Sequence, residues 1–201
     1  MIWPMYRTLV GAAIISGAVL ATTFELTREP ILVQQRAALS AAVLAVLPTA
    51  TRYQAYRFDP ESGLSNADDD LLASNCFTGF DATGKLVGHA IAAAGMGYQD
   101  RVSLLYGLGP DAQTITRLRV LANRETPGLG SKIATDAGFL NQFQGLSLDH
   151  PIEAVRAGRR QHPWQIDTIT GATISSRTVA RLINDSASPT LIQKLEERSR
   201  G

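Results

Sequence analysis

The sequence predicts an α+β domain carried behind a single amino-terminal transmembrane helix, and three observations predict it. The run from Thr8 to Phe24 carries no charge. Between Asn75 and Ala122, short apolar stretches are punctuated by Gly, Asp and Pro, as strands joined by turns are. Helical patterns then follow the strands instead of alternating with them, which favours antiparallel strands with packed helices over a parallel sheet. A chain of 201 residues has room for one domain of ordinary size plus such an appendage. Its formal net charge of +1, with no basic stripe interleaved with aromatics, argues against a nucleic-acid binder. A mean hydropathy of +0.00 is high for a soluble domain and points to one strongly apolar segment.

That segment is MIWPMYRTLVGAAIISGAVLATTFELTREP. As a helix, residues 4–24 would span about 30 Å at ~1.5 Å per residue, the thickness of a hydrocarbon core. Pro4 suits a first helical turn, Trp3 and Tyr6 sit where an interfacial aromatic belt would lie, and Arg7 can snorkel to the headgroups. A cleaved signal peptide is the rival, because Val19-Leu20-Ala21 resembles a cleavage site. The length of the run favours a retained anchor over residues 1–27. So does the stripe Ala13, Gly17 and Ala21, which would let another membrane helix approach closely. Orientation is left open by charge, with Arg7 on one side and Arg28 and Arg36 on the other.

Residues 28–74 read as a helical and loop connection. Ile31, Leu32, Leu39, Val43, Leu44 and Leu47 recur near helical spacing, and Pro48 stops the helix. Thr49 to Ser74 is polar and weakly patterned, with Asp68-Asp69-Asp70 as a solvated loop that lacks the alternating ligands and glycine turn of a calcium site. The domain proper is expected over 75–186. CFTGFDATGKLVGHAIAAA gives two strands about an Ala-Thr-Gly turn, and RVSLLYGLGPDAQTITRLRVLA gives two more about Gly109-Pro110-Asp111. SKIATDAGFLNQFQG predicts a helix ending near Gly145, and a last helix after Thr173 turns Val179, Leu182 and Ile183 to a core. Residues 187–201 read as a charged tail.

The lone Cys76 excludes an internal disulfide and reads as a small buried hydrophobe. His89, His150 and His162 are scattered, so no metal site is expected and no catalytic residue is assigned. Two loops hold the chemistry. In RETPGLGSKI, Pro127 fixes φ while Gly128 and Gly130 free the backbone, with Glu125 and Lys132 flanking; such a turn can lie against a flat ligand, or simply connect a strand to a helix. In QIDTITGATISSRTV, Thr168, Thr170, Thr173, Ser175, Ser176 and Thr178 surround Gly171-Ala172 with no base to activate them. Free amides and the dipole at the start of the last helix could seat a phosphate there, or a hydroxyl could cap the helix.

DTITGATISS resembles the flavinylation motif of the periplasmic FMN-binding subunits of the Rnf/Rsx electron-transport complex and of the sodium-pumping NADH:quinone reductase. Asp167, Ile169, Thr170, Gly171, Ala172, Thr173 and Ser175 fit the motif, and Thr168 is slightly larger than its usual occupant. ETPGLGSKI resembles a second block, with Ser131 where an acid is usual, and GYQDRVSLLYG a looser third. Within this family the length is closer to the Rnf/Rsx member, its G subunit, than to the longer quinone-reductase homologue. The resemblance implies FMN, one per chain, held by Thr173 through a phosphoester that a separate flavin transferase makes. It implies contacts from Thr170, Gly171, Ala172, Ser175, Ser176, Glu125, Thr126, Leu129, Gly130 and Lys132. It also implies an electron-carrying subunit among membrane and soluble partners that pass electrons between ferredoxin and NAD, with the amino terminus cytoplasmic and the flavin domain periplasmic, at the bacterial inner membrane. A Glu125 carboxylate beside the ring would lower its reduction potential.

Two other readings are a flavoprotein of a related reductase and an anchored assembly module without cofactor. The small-residue stripe generates its own prediction. Gly17→Leu should insert into the membrane normally, because hydrophobicity rises, yet co-purify less with partner subunits, because helix backbones can no longer approach. Unchanged co-purification would put the stripe against lipid.

Overall fold

Local turn chemistry lays down the sheet. Asp81 Oδ1 accepts hydrogen bonds from Thr83 N at 2.8 Å, Thr83 Oγ1 at 2.6 Å and Lys85 N at 2.9 Å, and Gly84 takes φ +87°. Asp111 closes a later hairpin, between Leu108 and Ile115, in the same way, accepting from Gln113 N and Thr114 N. The computed structural model describes residues 3–200. It begins with helix α1 (Trp3–Val46), followed by strands β1 (Arg52–Asp59), β2 (Gly63–Asn66), β3 (Cys76–Phe80), β4 (Leu86–Met96), β5 (Arg101–Leu108) and β6 (Ile115–Asn123). A 3-10 turn over Gly130–Ala134, helix α2 (Ala137–Asn141), strands β7 (Glu153–Val155) and β8 (Gln165–Asp167), and helices α3 (Thr173–Ser186) and α4 (Pro189–Arg200) complete the chain. The six main strands form an antiparallel sheet in the order β2-β1-β3-β4-β5-β6, and β7 pairs parallel to β8. The expected α+β fold is the one found.

The chain divides into residues 1–38 and residues 39–201. The described residues of the first unit are helical, and the stretch from Met5 to Val46 is long and apolar enough to cross a membrane, with an 18-residue window that reaches a mean hydropathy of 1.8. The anchor and the helix after it, read as separate segments from sequence, are continuous: α1 runs through Pro30. Proline there removes one backbone hydrogen bond, a local cost that good helix formers on both sides absorb.

In the second unit the sheet is covered on both faces. β5 shows why, because Val102, Leu104, Tyr106 and Leu108 alternate to one side while Leu105 points to the other, and all are buried. On the Leu105 side the last turns of α1 pack Ala42, Val43 and Val46, and the next residue Leu47, against Ala55, Phe77 and Ala90. Gly107 makes that approach possible, since a Cβ there would collide with the Val46 carbonyl. Thr116 Oγ1 then donates to that carbonyl at 2.7 Å, satisfying one of the helix's orphan acceptors. The other face packs Tyr106 and Ile91 against Ile133, Phe139, Phe143, Val179 and Ile183.

Three expectations are corrected. Residues 49–74 are not only loop: β1 and β2 lie within them and extend the sheet from β3. Asp68 is tied in as well, its Oδ1 accepting from Ala55 N at 2.7 Å. The helix expected over 131–145 is broken, because Asp136 caps a new start by accepting from Phe139 N at 2.9 Å. Finally, the charged tail is helix α4, with Leu191 and Leu195 in the core and Arg198 stacked 4.2 Å above the Tyr56 ring. The domain therefore extends beyond 75–186 at both ends.

Cys76 is buried as expected, and burial pushes its thiol up to about 12. His89 is fully buried between Thr78 Oγ1 and Ser199 Oγ, at 3.2 Å each. Burial, and then the Arg198 charge, hold its pKa down to about 4. Between about 6.5 and that value the unfolded chain binds a proton that the folded chain refuses, so stability falls as pH falls through this window, by on the order of 3 kcal/mol in all. His89→Gln should flatten the dependence of the urea midpoint on pH across that range; an unchanged slope would assign it to other groups.

Candidate functional site

Three loops distant in sequence meet at one buried carboxylate. Glu125 follows β6 and is only 4% exposed. Its Oε1 accepts from Gln99 N at 3.0 Å, with a longer contact from Asp100 N at 3.5 Å, and its Oε2 accepts from Ser175 Oγ at 2.8 Å. Burial alone would raise its pKa, but the amide of Gln99, the hydroxyl of Ser175 and the neighbouring amides outweigh that and hold it below the usual carboxylate value. It is therefore a fixed anion at neutral pH. Glycines make room for it: a Cβ on Gly130 would lie 2.7 Å from Ser175 Oγ and 2.8 Å from Glu125 Oε2, and one on Gly97 would collide with Oε1.

The turn after Glu125 is built as its sequence demands. Gly128 has φ +74°, Gly128 N donates to Ser131 Oγ at 3.0 Å, and the amides of Leu129 and Ser131 both donate to Thr126 O. Thr126 Oγ1 donates to Gln99 Oε1 at 2.8 Å, a second tie to the loop after β4. Opposite stands the start of α3. Gln142 clamps the backbone of Asp167, donating to its carbonyl at 3.2 Å and accepting from its amide at 2.6 Å, while Asp167 Oδ1 accepts from Gly158 N. Gly171 then turns the chain at φ +82°, and α3 starts at Thr173 with no side-chain cap from Ala172.

Between these walls lies a pocket of about 380 Å³ lined by Tyr98, Glu125, Thr126, Leu129, Gly130 and the run Gly171–Ser175. A second concavity, of about 370 Å³, surrounds Trp164 and includes Gln142; it lacks an open helix end and a free hydroxyl of the motif, and its Gln142 buttresses the strand that leads into the motif.

The structure sorts the hydroxyls that sequence left equivalent. Ser176 lies behind the pocket, donating to Ala172 O at 2.9 Å and accepting from Ile169 N at 3.1 Å. Ser175 is committed to Glu125. Thr168 and Thr178 are buried. Thr170 is exposed and outside the pocket, and so is Lys132. Among the described residues the Thr173 hydroxyl has no hydrogen-bond partner, and Thr173 is half-buried in the pocket wall. Of the expected contact residues, then, Glu125, Thr126, Leu129, Gly130, Gly171, Ala172, Thr173 and Ser175 converge, while Thr170, Ser176 and Lys132 do not line the pocket. Tyr98 and Ile174 are additions; Gly97-Tyr98 in the third block was the signal for the first. Chemically, the pocket offers an uncapped helix amino terminus suited to an anion, beside an apolar wall of Tyr98, Leu129 and Ile174.

Glu125 is thus a bracket first. Glu125→Ala would strand the Ser175 hydroxyl and the Gln99 amide, and should destabilise the domain by about 2–3 kcal/mol. Glu125→Gln, which keeps an acceptor, should cost less. Equal urea midpoints for wild type and Glu125→Ala would remove the bracket.

Residues 97–188 match the family described as FMN-binding domain. The chain is 33% identical over 172 residues to the G subunit of the ion-translocating oxidoreductase complex of Methanosarcina acetivorans, covering 86% of this chain and 85% of that one. To the G subunit from Pseudoalteromonas atlantica it is 30% identical over 190 residues, covering 87% and 81%. Among solved structures, NqrC of Shewanella oneidensis superposes with a TM-score of 0.56 at 20% identity, covering 77% of this chain and 73% of that one. The C subunit of the Na(+)-translocating NADH-quinone reductase from Parabacteroides distasonis superposes with a TM-score of 0.63 at 17% identity, covering 82% and 95%. Those two likenesses establish a shared fold. The relatives in sequence go further: the chain belongs to the family of Rnf ion-translocating oxidoreductase G subunits and contains its FMN-binding domain.

Proposed function

We propose that this chain is the flavoprotein subunit of an ion-translocating electron-transport complex and holds one FMN covalently, through a phosphoester on Thr173. The observation that carries the assignment is the state of the Thr173 hydroxyl: it lies in the pocket wall, on the first turn of an uncapped helix, without a partner among the described residues. Ser175, two residues on, is occupied by Glu125, and Ser176 by the backbone.

The residues present fit the group. The open amides of the first turn of α3 and its dipole would hold a phosphate, and Gly171 keeps a side chain out of its approach. Tyr98, Leu129 and Ile174 would lie against the flat ring. FMN, once bound, supplies one- and two-electron redox chemistry that no side chain here offers. In the attachment step the Thr173 Oγ–P bond forms, the hydroxyl proton leaves, and an activated flavin donor held by a separate flavin transferase loses its leaving group; the missing base at the motif is then the transferase's to provide. Glu125 acts indirectly, fixing the shape of the wall through Ser175 and Gln99.

The one candidate span among the described residues supports a membrane anchor. Family resemblance supports a cytoplasmic amino terminus, a periplasmic flavin domain at the inner membrane, and electron flow between ferredoxin and NAD with other subunits. Thr173→Val removes the oxygen and preserves the size. Denatured Thr173→Val protein should show no flavin fluorescence in a gel, while wild type is fluorescent. Thr170→Val should label partially. Fluorescent Thr173→Val, or loss of label in Thr170→Val alone, would move the ester to another hydroxyl.

A further inference from the structure

The pocket mouth gathers large apolar side chains that remain in solvent. Tyr98 is 67% exposed, Met96 62%, Ile174 52% and Leu129 48%. Three of them line the pocket, while Met96, which lines a neighbouring concavity with Arg181, directly precedes the Gly97-Tyr98 turn. Such residues scattered singly mean little; gathered in one place and rimmed by charge they mark an interaction surface.

The rim is basic. Arg124, beside Glu125, has a side chain 85% exposed. Lys132 lies two residues beyond Gly130 and is exposed. Arg177 is exposed one turn after Thr173, on the same face of α3. Arg181, a turn further, reaches back so that its Nη2 donates to Met96 O at 2.7 Å. Against these stand Asp100, 4.0 Å from Arg124, and Asp185, one turn beyond Arg181. None of the four cations lines the pocket, so an anion seated within would rely on the helix amino terminus. The cations instead meet whatever approaches from outside.

We infer that this mouth is the docking face for an acidic redox protein or subunit, with the apolar side chains at the centre of the contact and Arg124, Lys132, Arg177 and Arg181 around it. A small apolar centre within a charged rim suits a short-lived contact, in which charge steers encounter and sets orientation while the centre excludes water. The inference rests on the flavin reading, which gives the partner electrons to exchange at this mouth.

The chain has three lysines, Lys85, Lys132 and Lys194, so zero-length carbodiimide cross-linking reads the face directly. Membranes holding the full chain with its partner subunits are treated and the linked peptides identified by mass spectrometry. Lys132 should join an Asp or Glu of another protein. The yield should fall several-fold at high salt and in Arg177→Glu or Arg124→Glu, both at exposed positions. Intermolecular links absent at Lys132, made only to a second copy of this chain, or indifferent to salt and to both variants overturn the inference. Flavin fluorescence of the same bands separates the two readings. A fluorescent chain without a Lys132 link sinks the docking face alone, and a dark chain with the link sinks the flavin reading alone.

Discussion

The buried carboxylate of Glu125 is the interaction on which the site depends. It is reached by the loop after β4 through Gln99, by the start of α3 through Ser175, and by its own chain at the end of β6. A charge at 4% exposure is tolerable only when its oxygens are satisfied, and the donors come from segments 26 and 50 residues away in sequence. Removing any one donor leaves an anion short of partners, so the three loops are energetically coupled. The glycines at 97 and 130 follow from the same constraint, because the carboxylate and the Ser175 hydroxyl occupy the space a Cβ would need.

That bracket also explains the division of labour among hydroxyls. A helix start rich in Ser and Thr ordinarily caps itself, yet here Ala172 holds the cap position and contributes no acceptor. Ser176 ties the turn to the helix by bonding Ala172 O and Ile169 N, and Ser175 faces Glu125. The first turn is therefore rigid from behind and open in front. Among the described residues the Thr173 hydroxyl has no partner at the opening, where a proposed phosphoester costs no existing hydrogen bond. Beside the electrostatic role expected for it, Glu125 has a structural one: its ionised oxygens are held by Gln99 N and Ser175 Oγ.

The sheet supplies the frame. Its two faces are filled by different parts of the chain, the end of α1 on one side and α2, α3 and α4 on the other. Gly107 and Thr116 hold the end of α1, while Leu191, Leu195 and the stacking of Arg198 on Tyr56 hold α4. The strands between them thus present their loop ends, and with them the pocket, on a scaffold packed from both faces.

Local pattern was enough for the apolar amino end, the hairpins about Asp81 and Asp111, the buried Cys76 and the last long helix, while for the two loops rich in glycine and hydroxyls it left a binding site and ordinary turn or cap chemistry both open. The elements it missed share a cause. β1 was hidden because its buried positions, Ala55 and Tyr56, are consecutive and its flanks are charged, so no alternation stands out. α4 was hidden because Leu191 and Leu195 are two core residues among charges. The break before α2 lay in one Asp whose cap only the folded chain reveals. Which threonine lines the pocket, and that Glu125 is held by Gln99 and Ser175, depended on segments remote in sequence. Spacing along a chain carries periodicity and turn preference, but a partner brought near by the sheet leaves no mark on the local sequence, and the choice among six hydroxyls had to wait for the tertiary structure.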